Sequence, residues 1–125
     1  MKKLKIADGI HMLTINIEDI LFEGIWEIGN GVTLNSYIVQ GEKTAIIDGV
    51  IGWDGVPETL YENLKEIGVE PKDIDYLIVN HMEPDHSGWI LNFKKVKEDL
   101  TIICTDRAAK MVKAFYGGNN VRVVK

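Results

Sequence analysis

The feature of this sequence that most constrains its fold is a run of four apolar residues, Tyr76 to Val79, between Asp75 and Asn80. A short apolar run without polar alternation is typical of a strand that is covered on both of its faces. We therefore predict a strand over Asp75–Asn80. Such a strand needs neighbouring strands in a sheet and at least one covering layer.

Helical and strand segments alternate around this strand. Pro57 suits the first turn of a helix and Gly68 its end, and Thr101–Thr105 and Val121–Val124 are typical of short strands. Three helical stripes, with apolar residues three or four positions apart, separate the strands. The stripes are Leu60, Leu64 and Ile67; Trp89, Phe93 and Val96; and Ala108, Met111, Val112 and Phe115.

The first fifty residues favour β-structure. Asp8-Gly9 separates two runs rich in β-branched residues, and a glycine-containing connection separates two further apolar runs, as in hairpins. The glycine-rich segment Ile20–Thr33 is predicted to be a loop with at most one short strand. The predicted strands are Lys3–Ala7, His11–Ile17, Asn35–Gln40 and Thr44–Val50. The predicted fold class is α/β with a mixed sheet, in a single domain over residues 1–125.

Charge and composition limit the function classes. The chain has 125 residues, of which 14 are basic and 19 acidic, so its net charge is 14 − 19 = −5. An acidic balance argues against nucleic acid or an anionic membrane as the main partner. No stretch approaches the about 20 apolar residues of a membrane span. The single cysteine, Cys104, lies in an apolar run and fits a buried residue in a reducing compartment, so we expect a cytoplasmic protein.

Potential metal ligands are concentrated directly after the central strand, in the segment His81-Met82-Glu83-Pro84-Asp85-His86-Ser87-Gly88. On an extended segment, side chains at i and i+2 point the same way, so His81 and Glu83 can share one ion. Asp85 and His86 are adjacent, and on a tight turn they can reach a second ion. Two neighbouring ions suit chemistry that stabilises two oxygens, or two small molecules, at once.

The ligand types limit the metal, and other interpretations of this segment stay open. Two imidazoles and two carboxylates favour iron or manganese over a structural zinc site, although carboxylates also bind zinc. The segment is also compatible with a solvated turn in which Asp85 or Ser87 caps the next helix. Asp48, at the end of an earlier strand, is either a support for the ligands or a turn residue.

The nine residues from Asn80 to Gly88 resemble the signature of flavodiiron proteins (A-type flavoproteins), a branch of the metallo-β-lactamase superfamily. The common hydrolase pattern of the superfamily is His-x-His-x-Asp-His, and in the flavodiiron branch its second histidine is a glutamate, as at Glu83. Residues 31–39, 44–50 and 73–80 are similar to the strands that precede the signature in this family. The resemblance extends through essentially the whole chain and implies the first half of a metallo-β-lactamase-like αββα sandwich.

By this resemblance, His81 and Glu83 would bind one iron ion, and Asp85 and His86 would bind a second. In the family, a further histidine, a bridging aspartate and a final histidine complete the site later in the chain, and here no histidine follows His86. The family also carries a C-terminal flavodoxin-like domain that binds FMN, which is absent from these residues. The resemblance therefore implies a partial domain that supplies half of a diiron site.

The activity that the resemblance implies is the reduction of dioxygen or nitric oxide at a non-haem diiron centre, with electrons from rubredoxin or a flavoprotein. One alternative is a zinc-dependent hydrolase of the same superfamily, which Glu83 in place of histidine disfavours. Another is a non-catalytic truncated or split module, completed by a second copy or by a partner chain. Lys94, Lys95 and Lys97 are expected to form a solvated helix face, or else a docking site for a redox partner.

Overall fold

The computed structural model describes residues 2–18, 21–22, 24–49, 58–118 and 120–125; Pro57 lies outside these ranges. The strands are β1 (Lys2–Ala7), β2 (Ile10–Ile17), β3 (Leu21–Phe22), β4 (Trp26–Glu27), β5 (Val32–Gln40), β6 (Thr44–Ile47), β7 (Tyr76–Ile78), β8 (Thr101–Thr105) and β9 (Val121–Val124). The α-helices are α1 (Glu58–Glu66), α2 (Pro84–Ser87), α3 (Ile90–Val96) and α4 (Asp106–Tyr116). Within the described ranges, seven strands form one sheet in the order β1-β2-β5-β6-β7-β8-β9, and β3 pairs with β4 in a separate ribbon.

The N-terminal half of the sheet is antiparallel, as the hairpin signals predict. β1 pairs with β2 across the Asp8-Gly9 turn, and β5 pairs with β6 across residues 41–43. The segment Ile20–Thr33 differs from the prediction of at most one short strand, because it contains both β3 and β4. Its last two residues also belong to β5, since they pair with the end of β2.

The C-terminal half of the sheet is parallel, from β6 through β7 and β8 to β9. Parallel neighbours need crossover connections, and helices lie between each pair of these strands in the chain. The predicted mixed α/β fold class and the strands at Thr101–Thr105 and Val121–Val124 are confirmed. Because β6, β7 and β8 are parallel, their carboxyl ends meet at one edge of the sheet.

The helices in the described part of the chain bury one face of the sheet. Alternate strand residues on this face are almost fully buried, because period-two alternation turns them towards the helices. Their helical partners are large and equally buried, so strands and helices share one hydrophobic core. From the strands the core contains Leu13, Ile38, Ile46, Leu77 and Ile102, and from the helices and their flanks Leu60, Leu64, Trp89, Ile90, Phe93, Ala109 and Val112.

The opposite face of the sheet carries a continuous apolar row that these helices leave half-buried or, at Leu4, exposed. The pairing registers place one residue from each strand side by side across the sheet. This row is Leu4, Met12, Tyr37, Ile47, Ile78 and Ile103, and it ends at Arg122. The prediction that the central strand is covered on both faces is therefore wrong for the described structure, because Leu77 is buried but Tyr76 and Ile78 are half-buried.

Two of the predicted helical stripes are only partly correct. Val96 is 47% exposed, because α3 ends there and the sheet side of this helix is supplied by Trp89, Ile90 and Phe93. In α4, Val112 is buried and Ala108 packs against the core, as predicted. Met111 and Phe115 are exposed, and Ala109 and Tyr116 contact the core in their place. The stripe in α4 is thus rotated about one residue along the helix from the predicted one.

The basic run on α3 is not simply a solvated face. Lys97 pairs with Asp99 at 3.2 Å, and Lys95 lies 3.4 Å from the side-chain oxygen of Asn92. Lys94 donates to the backbone carbonyl of Gly117, 2.9 Å away, beyond the end of α4. The expectation of a solvated face is therefore wrong for Lys94, whose ammonium group bridges two helices.

A carboxylate fixes the start of the central strand against its neighbour. Asp75 accepts a hydrogen bond from the amide of Thr44 at 2.9 Å and another from the Lys43 ammonium at 3.0 Å. These two hydrogen bonds, the amide first, lower the pKa of Asp75 below its ordinary value. The ionised carboxylate therefore stabilises the pairing of β6 with β7 at neutral pH, and this contribution is lost as the pH falls through the lowered pKa.

None of the helices in the described ranges is long and apolar enough to cross a membrane.

The central strand gives a direct test of the one-sided core. We expect Leu77→Ala to lower the free energy of unfolding by about 2–5 kcal/mol, because a fully buried side chain leaves a cavity. Val123→Ala is the control, since Val123 is 44% exposed on an edge strand and its truncation should change stability by about 0.5 kcal/mol or less. Urea denaturation of both variants measures the difference, and equal losses would contradict this assignment of the core.

Candidate metal site at the carboxyl edge of the sheet

The candidate ligands lie where the central strand leaves the sheet. β7 ends at Ile78, two residues then lead to His81, and α2 begins at Pro84. Pro84 occupies the first turn of this helix, where a missing backbone N–H costs nothing. The parallel neighbour β6 ends beside β7, and the amide of Asp48 donates to the carbonyl of Ile78 at 2.9 Å. The segments that follow β6 and β7 therefore lie at the same edge of the sheet.

The four predicted ligands form two neighbouring pairs. His81 Nε2 lies 3.4 Å from Glu83 Oε1, and His86 Nε2 lies 3.6 Å from Asp85 Oδ2. The two imidazole rings meet edge to face, with their centroids 5.1 Å apart. These are the two pairs that the sequence pattern assigns to one ion each. Coordination of an ion by them stays a prediction.

The residues present are compatible with a metal ion but do not form a closed site. Within the described ranges, no group of three or more His, Cys, Asp or Glu side chains is arranged to hold one ion. The buried Nδ1 atom of His86, however, has no hydrogen-bond partner among the described groups. A buried imidazole nitrogen without a partner is costly, and a metal ion or a bound water would satisfy it. The donor set thus fits a site that needs additional ligands.

Asp48 fixes the backbone at the start of the ligand segment. Its Oδ1 atom accepts hydrogen bonds from the amides of Asn80 at 2.7 Å and His81 at 3.2 Å. The Asp48 side chain is buried, and its backbone carbonyl accepts a 2.8 Å hydrogen bond from Ser36. Its φ of 52° lies in the left-handed region, which aspartate tolerates better than most residues. Asp48 thus lies at a bend and holds the backbone that leads into the candidate ligands, and its support of bound ligands stays a prediction.

Trp89 and Gly49 hold the other end of the segment through the backbone carbonyl of His86. This carbonyl accepts hydrogen bonds from the indole nitrogen of Trp89 at 2.9 Å and from the amide of Gly49 at 3.1 Å. The indole lies so close to Gly49 that a Cβ atom there would overlap the ring. Sequence reasoning missed the role of Gly49, because a glycine that allows close approach of an aromatic ring looks like any turn glycine.

Ser87 lies inside α2 and is almost fully buried. Its hydroxyl is 3.0 Å from the carbonyl of Met82 and 3.1 Å from the carbonyl of Glu83. The suggestion that Asp85 or Ser87 caps the following helix is therefore wrong: the residue before α2 is Glu83, that before α3 is Trp89, and neither makes a side-chain cap.

Cys104 is a core residue, as expected. It is 2% exposed, and burial raises the pKa of its thiol above the ordinary value. The thiol is therefore protonated at neutral pH and is a poor nucleophile.

Comparison with known proteins places the fold and this segment in one family. The sequence profile of the metallo-beta-lactamase superfamily matches residues 29–124. The chain is 34% identical over 113 residues to a nitric oxide reductase from Moorella thermoacetica, and 33% identical over 107 residues to a flavo-diiron protein from Clostridium acetobutylicum. These matches cover 89% and 85% of this chain.

A solved structure agrees with the sequence matches. The rubredoxin oxygen:oxidoreductase from Desulfovibrio gigas superimposes with a TM-score of 0.81 at 29% identity, over 99% of this chain and 31% of that chain. The chain likewise spans 28% and 26% of the lengths of the two relatives from Moorella and Clostridium. It therefore matches about a third or less of each protein.

Replacement of Asp48 tests its role at the start of the ligand segment. We expect Asp48→Ala to destabilise the protein by about 1–3 kcal/mol, because the amides of Asn80 and His81 lose their acceptor. Asp48→Asn keeps an acceptor oxygen and tolerates the left-handed backbone, so its loss should be clearly smaller. Chemical denaturation measures both variants, and equal losses would show that the acceptor is unimportant.

Replacement of Gly49 tests the close approach of Trp89. We expect Gly49→Ala to cost about 1–3 kcal/mol, because the added methyl group must displace the indole from the His86 carbonyl. Gly41→Ala is the matched control, since a Cβ atom there meets only the Lys43 carbonyl at an ordinary distance of 3.7 Å. Denaturation gives the stabilities, and a change in the tryptophan emission spectrum confined to Gly49→Ala would identify the ring as the group that moves.

Proposed function

The chain belongs to the metallo-beta-lactamase superfamily and matches flavodiiron proteins within it, and from this premise we propose that it forms the ligand-bearing part of a flavodiiron-type oxidoreductase. The reaction would be the reduction of dioxygen or nitric oxide at a non-haem diiron site. The observation that carries the proposal is the pairing of two histidines with two carboxylates on one anchored segment at the carboxyl edge of the sheet.

His81 and Glu83 would hold one iron ion, and Asp85 and His86 the other. Imidazole and carboxylate together are a donor set that suits iron. Paired iron ions, when bound, supply redox chemistry at a small oxidant. Because the four residues are only part of a full ligand set, the remaining ligands would come from elsewhere in the protein or from another chain.

The other residues of this edge would act on the ligands through the backbone. Asp48 fixes the amides at the start of the segment, while Trp89 and Gly49 fix the carbonyl of His86. Outer contacts of this kind orient ligands and raise metal affinity. The indole and the helices behind it also keep the His86 side of the segment away from bulk water, which is consistent with its low exposure.

We propose that electrons reach this site from FMN in a neighbouring domain or subunit, and reach FMN from rubredoxin or another flavoprotein. Two relatives support this choice of oxidants and electron donor, since one is a nitric oxide reductase and the other a rubredoxin oxygen:oxidoreductase. Both dioxygen and nitric oxide are small and apolar, so the family match does not separate them. We place the protein in the cytoplasm, where a free thiol such as Cys104 stays reduced.

We further propose that residues 1–125 are part of one metallo-β-lactamase-like domain and that another layer covers the apolar row on the open face of the sheet. A row of six apolar side chains across neighbouring strands, five of them half-buried and Leu4 exposed, would otherwise remain in contact with water. The covering layer would come from the rest of the domain, from a second copy in a homo-oligomer, or from a partner chain.

Anaerobic loading of this chain with Fe(II), followed by gel filtration and metal analysis, tests the proposal. We expect iron to be retained, and we expect His86→Gln and His81→Gln to lower the affinity about 10-fold or more, because each removes a donor. His11→Gln is the matched control, since His11 lies on β2, paired with Ile38, away from the segment.

Three other outcomes would contradict or replace the proposal. Loss of affinity in His11→Gln equal to that in His86→Gln would contradict the assignment of the ligands. Preferential retention of zinc, together with hydrolysis of an ester or thioester, would replace the redox proposal with the hydrolase alternative. Absence of bound iron in an assembly that contains the remaining domain or partner would overturn the proposal altogether.

A further inference from the structure

We infer that Tyr116, on α4, is a positioning residue for the metal-binding segment and acts through the hydroxyl group of Ser87. The inference rests on the proposed function of residues 81–86. Tyr116 lies 29 positions after Ser87 in the sequence, and its hydroxyl oxygen is 2.9 Å from Ser87 Oγ. Neither the sequence pattern nor the family comparison assigns it to the site.

The direction of the hydrogen bonds follows from the number of protons. Ser87 has one hydroxyl proton and two carbonyl acceptors, those of Met82 and Glu83, at 3.0 and 3.1 Å. We assign the Ser87 proton to these carbonyls, so that Tyr116 donates its own proton to Ser87 Oγ. The result is a chain from Tyr116 through Ser87 to the backbone of the ligand segment, in which each hydroxyl strengthens the next as a donor.

The two carbonyls that Ser87 contacts flank the Cα atom of Glu83. One belongs to the peptide that precedes this residue, and the other to the peptide that follows it. The Ser87 hydroxyl holds the Met82 carbonyl, while the amides of His86 and Ser87 hold the Glu83 carbonyl, 2.9 Å from each of them. Both peptide planes, and with them the two backbone angles of Glu83, −63° and 146°, are thereby fixed. These angles set the direction in which the Glu83 carboxylate leaves the chain. Tyr116 therefore stabilises the orientation of one proposed ligand without contacting it.

Tyr116 is itself held in place by the helix that follows the ligand segment. Lys94, on α3, reaches the carbonyl of Gly117 at 2.9 Å and that of Tyr116 at 3.4 Å. α4 ends at this point, because Gly117 adopts a φ of 60°. The tyrosine ring also packs against the hydrophobic core. The hydroxyl group is thus presented to Ser87 from a fixed position and loses little entropy on bonding.

Tyr116→Phe tests the inference, because it removes the hydroxyl group and keeps the ring. The measurements are Fe(II) affinity, by competition with a chelator, and amide hydrogen exchange of the metal-free protein at His86, Ser87 and Gly88, whose amides bond within α2. We expect affinity to fall about 3- to 10-fold and exchange at these amides to rise by a similar factor, as the loss of one hydrogen bond predicts.

Two further variants separate positioning from a general loss of stability. Ser87→Ala should show the same effects, and the double variant should show little more than either single change, because both remove one chain of hydrogen bonds. Tyr37→Phe is the matched control, since Tyr37 lies in the apolar row on the opposite face of the sheet. Exchange at the amides of β8 reports any global change.

The outcomes distinguish this inference from the proposed function. If the assembly that contains the remaining domain or partner retains no iron, the proposed function fails, while the exchange data for the metal-free chain still test the role of Tyr116. Exchange at His86, Ser87 and Gly88 in Tyr116→Phe equal to that of the wild type would overturn the inference, whatever the metal does. Fully additive effects of Tyr116→Phe and Ser87→Ala would also overturn it, and so would an equal effect in Tyr37→Phe.

Discussion

The carboxylate of Asp48 is the contact on which the functional edge of this structure depends. Two parallel strands end side by side, and each leaves backbone groups that the sheet no longer pairs. Asp48 satisfies two of these groups, the amides of Asn80 and His81, with one oxygen atom. The same residue is anchored by Ser36 from a third strand. The direction of the ligand segment is therefore set by the sheet itself.

The two faces of the sheet differ, because helices bury one of them and leave the other largely open. The helices and the buried residues of each strand form one core, which holds Trp89 and the start of α3 rigidly beneath the ligand segment. The other face carries the apolar row from Leu4 to Ile103, which an additional layer could cover. The hydrophobic core therefore lies on one face of the sheet, and the apolar row on the other face is left for another layer to cover.

Sequence reasoning could predict the elements and the proximity of the two histidine–carboxylate pairs because both depend on local spacing. The two hairpins, the strand at Thr101–Thr105 and the pairs His81/Glu83 and Asp85/His86 follow from short-range patterns. Sequence reasoning failed where contacts between distant parts of the chain determine the exposure or the role of a residue. Phe115 is apolar but exposed, because the axis of α4 is set by β8 and β9, and Gly49 matters only because Trp89 packs on it. No local signal connects Tyr116 with Ser87.

The backbone and the side chains of the ligand segment differ in how far they are ordered, and this difference bears on metal affinity. Asp48 holds the amides of Asn80 and His81, Ser87 holds the carbonyl of Met82, and Trp89 holds that of His86. The side chains of His81 and Glu83, in contrast, remain 47% and 64% exposed. A bound ion would have to order these exposed side chains but not the chain that carries them. The entropy cost of binding is then limited to a few side-chain torsions, at about 0.5–1.5 kcal/mol per side chain. A segment with a fixed backbone can therefore accept an ion with little rearrangement, and any loosening of that backbone would reduce affinity even if every ligand were retained.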